Sequence, residues 1–402
     1  MSLKKYTLTS RDLLFFRDGR PIDRVKDDKT DIAVVGHGAN WPRPDHLYNA
    51  VMHALLEDRM AGRKAFGRFP DLKVSGPFPY KGDGCKDSGL YLPRPLDWKM
   101  HVEKFANTDL NECGLARPSD DFALYGFLDD KEGKKDYPAW IPYAEYKAYL
   151  DATTRGERDA LPWDCDETSD TQPRPQLFKV EIRTGTTLDP RTGASTRTEG
   201  VASGQYRAEY LRLVSGVSLT CEIDTGAAGK PVPTDFIMGG QGGIVHVAGS
   251  TEGAWLDGLF PRPSIPDGDG PFLVRWTLLA PAYFANTGWL PGWCRDTRKT
   301  AERRPDGDVM LKGDDGVCLC EKGVRLVGAC TGKPIVFSGW DGQNGVKPTR
   351  LAVPAGSVYL FRCPDRTAAT GLIAKLHLTR QSDFGSQGFG MGVCSFVSEK
   401  CR

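Results

Sequence analysis

Two clusters of glycine constrain this chain more than any other feature. Gly239-Gly240-Gln241-Gly242-Gly243 leads into the apolar run 244–247, and Phe384-Gly385-Ser386-Gln387-Gly388-Phe389-Gly390-Met391-Gly392 leads into the apolar run 393–397. Each cluster stands between a helix-like stretch and a final strand. A chain that repeats one order of elements in both halves is a tandem duplication of architecture, even where the residues differ. Length agrees, because 402 residues exceed the ~250–300 at which a single hydrophobic core stops growing. Glycine (46) and proline (28) together exceed the ~12% of average proteins, which favours strands and loops over a helical bundle.

Neither glycine cluster continues into Gly-Lys-Ser/Thr, so a nucleotide-hydrolysing phosphate loop is not indicated. The order helix, loop, strand is also the reverse of what a dinucleotide fingerprint requires. Glycines at this spacing do let backbone approach a ligand closely and turn N–H groups together toward phosphate oxygens. A plain turn or bulge is the alternative at each loop taken singly.

The elements around these loops read as follows. Residues 6–16 alternate as a first strand, closed by Arg17-Asp18-Gly19-Arg20-Pro21. After Pro44, Asp45 caps a helix whose Leu47, Val51 and Leu55 share one side. Residues from about 65 to 203 are polar, proline-spotted and weakly periodic, with one short helix near 143–150, and read as a long insertion. The runs 206–213 and 217–223 read as a hairpin, and a poor helical stretch ends near Met238. This order of elements predicts an α+β fold of two tandem ferredoxin-like (RRM-related) domains, residues 1–250 and 251–402, with the insertion in the first.

The net charge of +1 hides a division. Residues 119–170 hold fourteen acidic and six basic side chains, a block of −8, while the chain from Gly345 on holds eight basic and three acidic ones. A basic body of this kind suits a polyanion, although a solvated face is the commoner meaning of a charge run. Eleven cysteines are an odd number in a large chain without an export signal, which favours reduced thiols and a cytoplasmic protein. Cys318, Cys320 and Cys330 form the nearest approach to a zinc set, but without Cys-x-x-Cys or a nearby histidine no metal or cofactor is expected. No transmembrane span is expected either, because the longest uncharged run, 276–294, contains Pro281, Gly288, Pro291 and Gly292.

An ordered set of short motifs carries a family resemblance over nearly the whole chain. Arg17-Asp18-Gly19-Arg20-Pro21, Gly76-Pro77-Phe78, Leu92-Pro93-Arg94-Pro95-Leu96-Asp97, the Gly239-Gly240 loop, Val353-Pro354-Ala355-Gly356-Ser357-Val358-Tyr359 and Gly388-Phe389-Gly390 follow one another. Together they resemble the crRNA-handle-binding RAMP subunit of type III-B CRISPR (Cmr) effector complexes. The resemblance implies no catalytic activity, binding of the repeat-derived 5′ handle of CRISPR RNA, and docking on the large polymerase-like subunit. It also implies contact with a neighbouring backbone RAMP subunit and, indirectly, with target RNA. The chain departs from the pattern at Asn49-Ala50-Val51-Met52, where relatives have Gly-Ala-aliphatic-Arg, so no RNA-contacting arginine carries over to the first helix. It departs again at Gln241, where relatives often have Glu.

Single-stranded RNA needs cations, backbone donors and exposed rings. The candidates are Arg17 and Arg20, Trp41, the loop residues Gly239, Gly240, Gln241 and Gly242, and at the other end Arg380, Gly388, Phe389, Gly390 and Gly392, with His37 beside the first turn. Core packing is the alternative for Trp41 and Phe389, and a salt bridge to Asp18 or Asp23 for the two arginines. His46 and His53 read as a solvated helix face. The competing function is an RNA endonuclease with His37 as general base on a ribose 2′-OH. A nucleotide-binding or scaffolding protein without RNA is a third reading, which leaves the duplicated loops unexplained.

Overall fold

The computed structural model describes residues 3–19, 23–27, 30–57, 71–82, 89–97, 123–126, 139–155, 176–186, 191–194, 205–226, 231–285, 288–296, 300–303, 309–312, 318–319, 323–341 and 345–397. It is a mixed α/β structure, mostly strands with few helices. The principal elements in chain order are β1 (Leu3–Ser10), β2 (Asp23–Asp27), β3 (Thr30–Gly36), α1 (Pro44–Glu57), β4 (Lys73–Lys81), α2 (Tyr143–Arg155), β5 (Phe178–Thr186) and β6 (Gln205–Leu213). There follow β7 (Val217–Asp224), β8 (Asp235–Ile237), β9 (Ile244–Glu252), β10 (Phe272–Leu278), β11 (Arg325–Thr331), β12 (Val358–Cys363), α3 (Arg366–Leu376) and β13 (Gly392–Val397).

Two compact units share the chain. Met1–Cys85, Arg174–Gly253 and Val336–Arg350 form the first, and Lys86–Pro173, Ala254–Ile335 and Leu351–Arg402 the second. Residues 65–203 are therefore not one insertion in the first domain. Their beginning, β4, is a strand of the first unit's main sheet, and Lys86–Pro173 packs with the second unit. Pro77 and Pro79 conceal β4 in the sequence because proline removes ladder donors. Its position at the sheet edge removes that objection.

The first unit's main sheet has the order β8-β9-β1-β7-β4, and every neighbouring pair is antiparallel. Tyr6 and Leu8 of β1 point into the core, where α1 lays Leu47, Val51 and Leu55 against them, each at most 1% exposed. Burial of each of these three side chains is worth roughly 1.5–3 kcal/mol. Pro44 opens the helix at the position where its missing N–H costs nothing. Asp45 does not act as the cap. Its carboxylate accepts hydrogen bonds from the Arg43 guanidinium at 3.0 and 3.1 Å.

A second sheet, β2-β3-β6-β5, joins β3 to β6 in parallel and β6 to β5 in antiparallel register. The expected hairpin of 206–213 and 217–223 does not form, because β6 belongs to this sheet and β7 to the main one. Gly216, with φ of 76°, makes the turn between them. The helix expected before Met238 is replaced by extended chain and β8. Pro231 and Pro233 deny a helix its backbone donors there.

In the second unit the sheet runs β11-β12-β10-β13, with Ala123–Gly126 adding a parallel strand beyond β11. Both units thus set their strands in the spatial order second, third, first, fourth. Phe272, Val274, Trp276 and Leu278 face α3, which supplies Leu372, Ile373 and Leu376. Asp365 caps that helix by accepting the Ala368 N–H at 2.8 Å. The other face of β10 presents Arg275 to α2 and to Asp97. Arg275 Nε lies 3.0 Å from Asp97 Oδ2, and the Tyr149 hydroxyl donates to Asp97 Oδ1 at 2.8 Å.

His46 does not lie on a solvated face, whereas His53 is exposed. The His46 ring stacks on Phe16 with centroids 5.0 Å apart, and its Nδ1 accepts the Arg43 N–H at 3.2 Å. Burial pushes its pKa down to about 4. Below its unfolded value near 6.5 the unfolded chain takes up a proton that the native state refuses, so stability falls as pH drops from about 6.5 toward about 4. This loss amounts to about 3 kcal/mol. Urea midpoints at pH 7 and pH 4.5 should show a smaller decline for His46→Gln than for the parent. Equal declines would assign the acid sensitivity to other groups.

Candidate nucleic-acid interface

Three stretches of the first unit meet beyond the end of β1. Phe15 bridges Gly240, Arg17 bridges Gly38, and Leu14 bridges Leu211 of β6. The Asp18 N–H donates to the His37 carbonyl at 3.1 Å, the Ala39 N–H to the Phe16 carbonyl at 2.6 Å, and the Gly240 N–H to the Phe15 carbonyl at 2.8 Å. Glycine is required at these crossings. A Cβ on Gly38 would overlap the Glu209 carbonyl, and one on Gly239, whose φ is 88°, would lie 2.5 Å from the Phe15 oxygen.

One side of the 239–242 loop is closed by Phe15 and Phe16, and the other is exposed. Gln241 (φ 60°) and Gly242 (φ 70°) are both left-handed, and the Gly243 N–H donates to the Gly240 carbonyl at 3.4 Å, so the loop is a tight turn joining the antiparallel strands β8 and β9. Arg17 is exposed and makes no ion pair among the described residues. Arg20 lies outside the described residues. His37 Nδ1 stands 3.4 Å from Glu209 Oε2, which also accepts the Gly38 N–H at 3.1 Å. Trp41 follows the packing alternative. Its indole N–H donates to the Pro77 carbonyl at 2.8 Å and its ring tilts against Phe178.

The C-terminal loop differs from this arrangement. Phe389 is 0% exposed and meets Phe384 edge-on, so it has no free face for a base. Gly388, Gly390 and Gly392 are buried as well. A Cβ on Gly390 would lie 2.6 Å from Ser382, and one on Gly392 would lie 2.5 Å from the Trp276 indole nitrogen. These glycines let the chain fold onto itself and onto β10, and they leave no surface for an RNA backbone to approach. Arg380, half-buried, bridges Met391 in the same fold-back.

Sequence reasoning passed over one face of the β5–β6 ribbon. Strand alternation and register place Lys179, Glu181, Arg183 and Gly185 of β5 beside Tyr206, Ala208, Tyr210 and Arg212 of β6. Tyr210 packs against Phe15 with centroids 5.4 Å apart, and the Arg183 guanidinium lies 5.9 Å from the Tyr210 ring. Two tyrosines four apart in a strand, with arginines at 207 and 212, were the available signal.

Among the described residues no three His, Cys, Asp or Glu side chains gather as a metal site would need. The Cys330 thiol donates to the Leu96 carbonyl at 3.2 Å, and Cys320 lies outside the described residues. No described helix is long and apolar enough to cross a membrane.

The sequence model of the family described as CRISPR-associated protein (Cas_Cmr3) matches residues 6–394, through both units. This chain belongs to the Cas_Cmr3 family. It is thereby a CRISPR-associated protein. A chain in the cryo-EM structure of the Type III-B Cmr-beta bound to cognate target RNA and AMPPnP is 13% identical, with 89% of this chain and 86% of that one covered at a TM-score of 0.45. A chain in the crystal structure of the Csm1-Csm4 cassette in complex with pppApA is also 13% identical, with 89% and 98% covered at a TM-score of 0.33. No curated protein matches the chain.

Proposed function

We propose that this Cas_Cmr3 family member is a non-catalytic subunit of a CRISPR RNA-guided effector complex, which holds the repeat-derived 5′ handle of crRNA and docks on the large polymerase-like subunit. Membership of the family across residues 6–394 carries the reading. The strand order second, third, first, fourth in both sheets supports two ferredoxin-like domains. The exposed loop 239–242 beside Arg17 supports a phosphate-binding edge on the first of them. The acidic block around α2 suits a basic partner protein better than RNA, since it repels phosphates at short range.

The test is to purify the complex through this subunit and sequence the RNA that comes with it. The expected reads share one 5′ end inside the repeat. RNA of random origin, or none, would remove the handle from this subunit. The His37–Glu209 geometry favours one second reading, an endonuclease whose histidine is oriented by a carboxylate. Cleavage of repeat RNA by the purified protein, abolished in His37→Ala, would put that reading first.

A further inference from the structure

We infer that the face of the β5–β6 ribbon bearing Tyr206 and Tyr210, with Phe15 beside it, is a stacking platform for splayed bases of single-stranded RNA. The inference rests on the RNA-binding reading above, and it assigns a contact that the glycine loops do not supply.

Three observations carry it. The first is how the rings are presented. A Cβ on Gly185 would overlap the Tyr206 ring, so that ring lies across the bare backbone of β5 while the residue stays only half-buried. Tyr210 packs at a tilt against Phe15 and has the Arg183 guanidinium 5.9 Å from its ring centre, which holds a second ring at this surface. All three aromatic side chains are half-buried and none belongs to the core.

Charge is the second observation. The same face carries Lys179, Arg183 and Arg212 against Glu181, which accepts from Arg183 at 3.1 Å and from Arg212 at 2.6 Å, and against Asp12, whose charge reaches Arg212 from outside the ribbon. Those two hydrogen bonds hold the Glu181 carboxyl below its usual range, so it stays ionised and fixes both guanidinia along the ribbon. The excess of cations suits a phosphate backbone and disfavours a basic protein.

Third, the platform adjoins the candidate loop, because Phe15 touches Gly240 on one side and Tyr210 on the other. A strand leaving the exposed 239–242 loop therefore meets rings next. Tyr206 and Tyr210 are four residues apart, roughly 13 Å along a strand. That span is too long for two bases stacked directly on each other, so each ring receives a separate, unstacked base, as in sheet-based RNA recognition.

The test measures binding of fluorescein-labelled oligouridylate, oligoadenylate and handle RNA to the full chain, with circular dichroism as the check on folding. Tyr206→Ala and Tyr210→Ala should each weaken binding roughly 5- to 150-fold, with little difference between uridylate and adenylate. Tyr206→Phe and Tyr210→Phe should bind like the parent, since the ring face remains. Folded alanine variants with parental affinity would overturn the platform while leaving handle binding intact. A parent that binds the homopolymers through these tyrosines but ignores handle RNA would sink the handle reading and keep the platform. Should the alanine variants misfold, 4-thiouridine crosslinking of the parent decides: attachment to peptides containing Phe15, Tyr206 or Tyr210 supports the platform, and attachment only elsewhere refutes it. Parental RNA affinity with lost subunit assembly would make the face a protein interface instead.

Discussion

Asp97→Ala is expected to destabilise the second unit by about 3–5 kcal/mol. Asp97 is 2% exposed and Arg275 1%. The alanine leaves a guanidinium in the interior with its counter-ion gone and takes the acceptor from the Tyr149 hydroxyl. The cost therefore comes from a buried charge that has lost its carboxylate rather than from the lost attraction, since burying both ions was itself expensive. A double variant, Asp97→Leu with Arg275→Met, should recover much of the loss because it removes both charges together. Urea denaturation followed by circular dichroism measures all three proteins. A double variant no more stable than Asp97→Ala would show that the damage lies in packing and not in charge.

Gly356→Val should do more harm still, leaving little soluble protein. Gly356 holds φ at 85°, and a Cβ there would overlap the Arg94 carbonyl. Its N–H donates to the Leu278 carbonyl at 2.7 Å, while its own carbonyl accepts the Leu96 N–H at 2.8 Å. It thus clamps the 92–97 segment to the end of β10. Left-handed strain on a β-branched residue costs ~1–3 kcal/mol, and the overlap adds to it because backbone atoms are on the other side. Gly193→Val is the matched control, with φ of 67° and nothing within 4 Å of the added carbon. Soluble yield and limited proteolysis should separate the two, with cleavage near residues 89–97 appearing only in the Gly356 variant. Similar behaviour of both variants would reduce the effect to backbone strain.

Two of the motifs that carried the family resemblance, 92–97 and 353–359, are therefore contact partners. The sequence could show their order but not their meeting. Local patterns were readable where one face of an element is buried, as in α1 and β10, because a stripe or an alternation then appears directly. β4 was hidden because edge position, the property that permits its prolines, is decided by strands far away in sequence. The hairpin at 206–223 failed for a related reason: a turn signal states that the chain reverses, not that the two strands pair. Glycine patterns were equally one-sided. They announce that side chains are excluded, but not whether the excluding wall is protein on all sides, as at Gly390, or on one side only, as at Gly239. Deleting the whole acidic block would not test the docking proposed for it, because Tyr146 and Tyr149 are fully buried. Neutralising the exposed Asp151 and its acidic neighbours is the cleaner experiment.

The second unit's discontinuity also shapes how the chain is made. Tyr146, Tyr149 and Asp97 leave the ribosome well before Arg275, the residue that completes their environment. At 5–20 residues per second the wait from Tyr149 to Arg275 is roughly 6–25 s. During it the apolar side of α2 is uncovered and the aspartate has no counter-ion. Closure then needs contacts between distant segments, the kind that form slowly. A fragment ending at Gly253 would carry this orphaned stretch permanently, and it would also lack Val336–Arg350, the last segment of the first unit.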